Sequence, residues 1–379
     1  MIKDISTCAC INDLALRAKS RLPRFVWNQL EGAAGEGGGA CRNEDAFGKI
    51  LFRAHRLAGP LHATSVEMFG RTYDQPFGIA PMSLADTVWR GTDRAMADLA
   101  ASRNIPLVLS TGSSSTIERM AQIARDRLWF QIYLRASKTA TLDLLNRAWK
   151  AGITVLVFTV DYTGEHRWNA TLRATDSRWA LRTTYRLLDA SRRFSWALQR
   201  IINGPVRRAN LVSYDQASSA NFPESGSNEG LTWEDLHFIR NCWRGKLVIK
   251  GLMLPDDAHR AISEGVDGIW ISNHGGRHLE SLPATIHVVG AIREKLGPAT
   301  PIILDSGIRN GESVLKALAL GANMTFIGRP FLYGAGAFGP HGVQHAYNIL
   351  ASEVRIGLKQ LGCGTPQDLG RQSIAEVTP

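Results

Sequence analysis

Six consecutive residues, Ser272-Asn273-His274-Gly275-Gly276-Arg277, set an imidazole and a guanidinium three positions apart around paired glycines. Histidine titrates near neutrality, so it can take the hydroxyl proton when an alcohol carbon is oxidised. An arginine can clamp a carboxylate with a bidentate fork, and glycines let the backbone approach a ligand closely. These residue types suit oxidation of the carbinol carbon of a hydroxy acid, which also needs a hydride acceptor. The bland alternative is a tight turn with a surface His and Arg. Against it stands the preceding Gly268-Ile269-Trp270-Ile271, an apolar run of strand length. Lys250 ends a second such run, Leu247-Val248-Ile249. A buried ammonium without a partner is costly, so something anionic should face it unless the side chain snorkels to solvent.

The elements that must position these groups can be read from hydrophobic pattern. Candidate strands are 77–80, 107–110, 129–133, 154–160, 247–250, 268–272, 302–305 and 324–328. Helix-length amphipathic segments lie between most of them, at 93–103, 116–125, 139–151, 255–264 and 311–320. Short apolar runs alternating with helices describe buried parallel strands. Eight units predict an α/β fold of the closed (β/α)8 type, a TIM barrel. Polar residues collect at the strand ends, where such barrels build active sites: Ser110, Gln131, Tyr133, Thr159, Asp161, Lys250, the 272–277 segment, Asp305 to Arg309, and Gly328-Arg329. Residues 1–75 are expected to form a helical cap and connecting segment, and 76–379 the barrel, with a long insertion over 162–230.

The chain has 379 residues, a formal net charge of +10 and five scattered cysteines without a CxxC pair. That usage fits a reducing compartment and argues against disulfides or a zinc site, and no metal is expected. The first residues carry Lys3, Asp4 and Asp13 and lack an apolar core, so no secretory signal is expected. No run approaches the roughly 20 apolar residues needed to cross a bilayer. The glycine-rich 32–39 stretch has no preceding strand and reads as a helix-ending loop, so NAD is not expected.

With these residues, the chain resembles the FMN-dependent 2-hydroxy-acid dehydrogenase/oxidase family and is most similar to its mandelate dehydrogenase branch. The resemblance runs from Leu22-Pro23 to Leu361-Gly362-Cys363. It includes the surroundings of Trp89, Leu109-Ser110-Thr111, Trp129 to Tyr133, Asp305-Ser306-Gly307 and Lys316 to Ala322. It implies FMN as cofactor and oxidation of an (S)-2-hydroxy acid, bulky or aromatic, to the 2-oxo acid. By that resemblance His274 would be the base, with Asp161 supporting its ring; a carboxylate in that place could otherwise cap a helix. Arg277 would hold the substrate carboxylate and Tyr133 would hydrogen-bond the substrate, although core packing also accounts for a tyrosine there. Lys250 would face the flavin N1/O2 edge. Ser110, Gln131, Thr159 and Ser272 would bond the ring or ribityl chain, Asp305 the ribityl hydroxyls, and Ala80 and Pro81 would line the flavin. Gly307, Arg309, Gly328 and Arg329 would bind the phosphate.

Three departures bear on substrate. Gln29 stands where the family has a cap tyrosine. A second carboxylate-binding arginine is one residue out of place, with Arg167 the candidate. Ser83 replaces a Gly or Ala beside the flavin, where access of oxygen is tuned, and His278 replaces a glutamine. Between Arg167 and Arg208 ten arginines face two acids, Asp176 and Asp189, interleaved with Trp, Phe, Leu and Ile. That composition suits a segment lying on an anionic membrane surface, a role the resemblance supports; the alternative is a solvated lid. Nucleic acid fits the charge and nothing else. The expected location is cytoplasmic, with peripheral attachment to the inner face of the cell membrane. A homo-oligomer, a homotetramer by the family's habit, is expected, and the electron acceptor is a quinone, a carrier protein or oxygen. Alternative readings are the same chemistry on a carrier- or thioester-bound hydroxyacyl group or an amine, or a non-catalytic membrane flavoprotein.

Overall fold

A computed structural model of the chain describes residues 4–134, 137–162, 188–211 and 230–375. Three helices come first: α1 (Ile11–Arg21), α2 (Arg24–Glu31) and α3 (Gly38–Gly48). An antiparallel hairpin, β1 (Val66–Met68) and β2 (Arg71–Tyr73), precedes eight parallel strands. These are β3 (Phe77–Ile79), β4 (Leu107–Ser110), β5 (Leu128–Ile132), β6 (Val155–Thr159), β7 (Lys246–Leu252), β8 (Gly268–Ile271), β9 (Ile302–Leu304) and β10 (Met324–Ile327). They close in sequence order, β10 pairing β3, so the predicted barrel is the observed one. Every predicted strand lies within two residues of an observed strand at both ends, because buried strands of a barrel are apolar on both faces.

The helices around the barrel start where local chemistry says they should. Thr116 caps α5 (Ile117–Ala124) by accepting from Arg119 N, and Ser137 caps α6 (Lys138–Lys150) through Ala140 N. Asn310 does the same further on, through Ser313 N. The predicted helix at 93–103 is α4 (Thr92–Arg103). Inside the barrel, Trp129, Trp270 and Phe326 pack in a layer with Val108, Val157, Val248 and Ile303. The hairpin was not foreseen within the connecting segment. It closes the N-terminal end of the barrel: Val66, Met68 and Tyr73 join the interior layer, and Trp129 Nε1 donates to Tyr73 Oη at 3.1 Å. Strands of three residues offer too little pattern for recognition from sequence.

Within the insertion, the described part includes an amphipathic helix, α7 (Phe194–Asn203). Its inner face docks on the protein: Trp196 is buried, donates to Thr87 O at 3.0 Å and meets Phe25 of α2 edge-on. Asp189 accepts from Arg24 N at the start of α2. The outer face exposes Phe194, Ile201 and Ile202, each more than 70% accessible. Among the described residues no helix is long and apolar enough to cross a membrane.

Candidate active site

The C-terminal ends of the barrel strands open into a cavity of about 260 Å³, roofed by α2. The turn after β8 carries three consecutive residues in the left-handed region: His274 (φ 56°), Gly275 (67°) and Gly276 (74°). Only glycine adopts this region cheaply, so the imposed conformation at His274 is strained and must be held by its surroundings. Asn273 holds it by a reciprocal pair of 2.8 Å bonds with buried Asn43 of α3. Gly276 accommodates the same helix: a Cβ there would lie 2.5 Å from Ala40 N. Its close approach is therefore to the cap and not, as its sequence suggested, to a ligand.

The turn aims the His274 ring. Nδ1 meets Asp161 Oδ1 at 2.9 Å, while Nε2 lies 3.4 Å from Tyr133 Oη. Burial alone would raise the Asp161 carboxyl, but His274, Lys250 and His278 outweigh it and bring its pKa to about 2. Gly251, with φ 113°, lets β7 pass within contact of Asp161. Lys250 does find the anionic partner its burial demands: Nζ is 3.1 Å from Asp305 Oδ2 and donates to Ser272 Oγ at 2.6 Å. From the cavity lining inward run bonds from Ser83 Oγ to buried Ser110 Oγ, from Ser110 Oγ to Gln131 Oε1, and from Gln131 Nε2 back to Thr159 Oγ1.

The arginines meet the carbonyls that end α2. Arg277 donates to Gln29 O at 3.2 Å and Leu30 O at 2.6 Å. Arg329 donates to Leu30 O, Gly32 O and Gly275 O. Gly32 N also donates to Gln29 O, at 3.4 Å, and the guanidiniums add donors where positive charge suits the negative helix end. Burial first, and then the charge of Arg329 on Arg277 and of Arg309 on Arg329, lowers both arginine pKa values. Arg309 pairs with Glu44 at 2.6 Å. Ser306 (φ 77°) and Gly307 (φ 87°) turn after β9, and Gly328 caps the N-terminus of the helix Arg329–Phe338, so backbone and cationic groups converge at one corner.

Of the residues singled out by sequence, Gln29, Ala80, Pro81, Ser83, Tyr133, Thr159, Lys250, His274, Arg277, Asp305, Gly307, Arg309, Gly328 and Arg329 all line this cavity. Ser110, Gln131 and Ser272 are buried just behind it, with Asp161 behind His274. Arg167 lies outside the described residues, as does much of the basic insertion. Sequence reasoning missed Tyr162, Arg208 and Leu211, which also line the cavity. Tyr162 follows Asp161 directly and could have been suspected; Arg208 and Leu211 had no local signal. The glycine-rich loop between α2 and α3 is not a dinucleotide loop. Its Glu36 and Gly38 amides donate to the carboxylate of Glu280, at 3.1 and 2.7 Å.

A family model described as FMN-dependent dehydrogenase matches residues 18–376. The chain is 32% identical to (S)-mandelate dehydrogenase of Pseudomonas putida over 381 residues, covering 97% of this chain and 95% of that one. It is 33% identical over 383 residues to an L-lactate dehydrogenase of Stenotrophomonas maltophilia strain R551-3, covering 96% and 98%. A solved structure of the monotopic membrane protein (S)-mandelate dehydrogenase matches with a TM-score of 0.90 at 32% identity, covering 97% and 99%. A lactate oxidase of Pediococcus acidilactici matches with a TM-score of 0.85 at 26% identity, covering 98% and 95%. The family model spans nearly the whole barrel and part of its cap, and the chain belongs to the FMN-dependent dehydrogenase family.

Proposed function

We propose that this protein oxidises a 2-hydroxy acid to the 2-oxo acid with FMN as cofactor. The observation that carries this reading is the Asp161–His274 pair, set beside Tyr133 and Arg277 in one cavity. The donor set fits FMN. The Gly307–Arg309 and Gly328–Arg329 corner offers a helix N-terminus, left-handed backbone and two guanidiniums for the phosphate. Lys250, Thr159, Asp305, Ala80 and Pro81 line the same cavity, with Ser110, Gln131 and Ser272 buried just behind it, a donor and acceptor set suited to a planar polar ring. Bound there, FMN supplies the two-electron acceptor for the hydrogen on the carbinol carbon.

In the reaction, Asp161 accepts from His274 Nδ1–H, which leaves Nε2 as the proton acceptor on the cavity side. The carboxylate stays ionised at any neutral pH and favours the imidazolium formed when Nε2 takes the hydroxyl proton. Arg277 orients the substrate carboxylate, and Tyr133 donates to substrate oxygen. Val26, Leu30, Tyr162 and Leu211 also line the cavity, and this apolar and aromatic surface suits a substrate larger than glycolate. Mandelate and lactate name the relatives' reactions and belong in the substrate panel. Anaerobic titration of the yellow protein with mandelate, lactate, glycolate and longer 2-hydroxy acids should bleach the flavin. His274→Gln should remain yellow and bleach about 10²–10⁴-fold more slowly. A colourless protein that takes up no FMN overturns the reading.

The exposed apolar face of α7, beside Arg192 and Arg207, supports peripheral binding to an anionic membrane, as the monotopic relative's description suggests. Flotation with anionic vesicles should succeed at low salt and weaken at high salt; vesicles that never carry the protein exclude this role.

A further inference from the structure

In the strained turn that carries His274, two successive amides are taken by serine hydroxyls. His274 N donates to Ser272 Oγ at 3.1 Å, and Gly275 N donates to Ser306 Oγ at 3.0 Å. Ser306 comes from the turn after β9 and has no role in the reaction proposed above. Its own hydroxyl proton goes to Asp305 Oδ1 at 2.8 Å, and Asp305 Oδ2 lies 3.1 Å from Lys250 Nζ. Lys250 Nζ donates in turn to Ser272 Oγ at 2.6 Å. The bonds close a ring that runs from Lys250 through Ser272, the His274–Gly275 backbone, Ser306 and Asp305 back to Lys250. It joins the ends of β7, β8 and β9, and all its members except Ser272 line the cavity.

Ser306 keeps its place in this ring against its own backbone preference. Its φ is 77°, in the region that glycine adopts freely and a residue with a Cβ does not. The next residue, Gly307, is left-handed too, at φ 87°, and a Cβ there would lie 2.4 Å from Asn43 O. That approach requires glycine at 307. At 306 glycine would relax the backbone, so what serine contributes against the strain is its hydroxyl.

Oxidising a carbinol needs a base at the oxygen and an acceptor at the carbon, and a misplacement of about 1 Å can cost about 10²-fold in rate. The base stands on the turn after β8, whereas Lys250 and Asp305 reach the cavity from β7 and from the end of β9. We propose that Ser306 is a positioning residue, its hydroxyl tying the His274 turn to the Lys250–Asp305 pair and so fixing the base relative to the cofactor-binding groups. The proposal rests on the FMN and hydroxy-acid reading above. Ser306 takes no proton in the reaction; it acts through the Gly275 amide and the Asp305 carboxylate.

The test compares the FMN-loaded native protein with Ser306→Gly and Ser306→Ala, using mandelate or lactate, whichever reduces the native flavin. Anaerobic stopped-flow reduction gives the limiting rate and the apparent substrate affinity. Flavin difference spectra with phenylacetate, which has no hydroxyl to oxidise, give an affinity free of chemistry. Ser306→Gly should have a higher Tm than Ser306→Ala, because the left-handed backbone suits glycine. Both should nevertheless be reduced about tenfold more slowly than the native protein, with substrate and phenylacetate affinities changed less than about threefold. A hydroxyl that matters only to the fold would let the rate follow Tm, so that glycine recovers what alanine loses. Reduction of Ser306→Gly at the native rate overturns the proposal, as does a loss that lies wholly in substrate affinity. If one variant fails to fold the other decides, and failure of both overturns the proposal, because the hydroxyl then serves the fold. A native protein that takes up no FMN, or is reduced by no 2-hydroxy acid, removes the underlying reading instead.

Discussion

The imidazole of His274 is useful because its other nitrogen is already committed. Asp161 takes Nδ1 at 2.9 Å, so the tautomer is set before any substrate arrives. Asp161→Asn is expected to keep the fold and to lower kcat by roughly 10²–10⁴-fold, since an amide neither stabilises the imidazolium nor enforces the tautomer. Stopped-flow flavin reduction would measure it. The same carboxyl has a folded pKa of about 2, below the roughly 3.9 of an unfolded aspartate. A depressed carboxyl contributes stability above its unfolded pKa and loses it as pH falls through the folded value. The Asp161 contribution should therefore disappear between about pH 4 and pH 2, and acid unfolding of the Asp161→Asn variant should lack that component. His274, Arg277 and Lys250 were legible as chemistry because their side-chain types and strand-end positions limit what they can do. Tyr162 and Arg208 were not, since a tyrosine or an arginine in a loop has many uses until its neighbours are known.

At the level of elements, the active-site turn and the N-terminal helices hold each other. Gly276 at φ 74° leaves no room for a Cβ against Ala40, and its carbonyl accepts from Ala34 N. Gly276→Ala should cost about 1–3 kcal/mol through strain and contact, seen as a lower Tm, and should slow flavin reduction by substrate because His274 and Arg277 flank the same turn. A second coupling joins α4 to the turn after β4. Buried Asp93 accepts from Ser113 Oγ at 2.7 Å and Ser114 N at 2.8 Å. Burial first, and then the charge of Asp86, pushes its carboxyl up to about 7. The folded state then binds a proton that the unfolded chain has released between about pH 4 and 7. Stability from this group is present at the acid end and is lost as pH rises through 7. Asp93→Asn should remove that slope, its Tm gaining on the native protein between about pH 4 and 7 and levelling off above; an unchanged pH profile would show that Asp93 ionises normally. The strands and helices themselves were legible because apolar runs and capping residues are local signals. The hairpin at the foot of the barrel was not, because its meaning lies in plugging an opening made by eight other strands.

For the whole molecule, the surplus of positive charge has two destinations. The sequence reading counted Arg208 in a basic segment suited to a membrane surface or to a solvated lid. The folded chain instead brings it to the cavity, while the exposed apolar residues of α7 remain outside. Replacing Phe194, Ile201 and Ile202 together by Ser should abolish vesicle flotation without unfolding the barrel, since each is largely exposed and contributes little to the core. Loss of flotation with preserved circular dichroism would check it.

What the amino-acid order determined by itself was the architecture and the chemical kind of the site. Alternating apolar and amphipathic runs dictate a parallel barrel, and barrels place their chemistry at strand ends. The tertiary structure decided which groups meet. It paired Lys250 with Asp305, held Arg277 and Arg329 on the end of α2, and set His278 against His274. Those outcomes depend on residues up to several hundred positions apart, and no local pattern encodes a distance across a closed barrel.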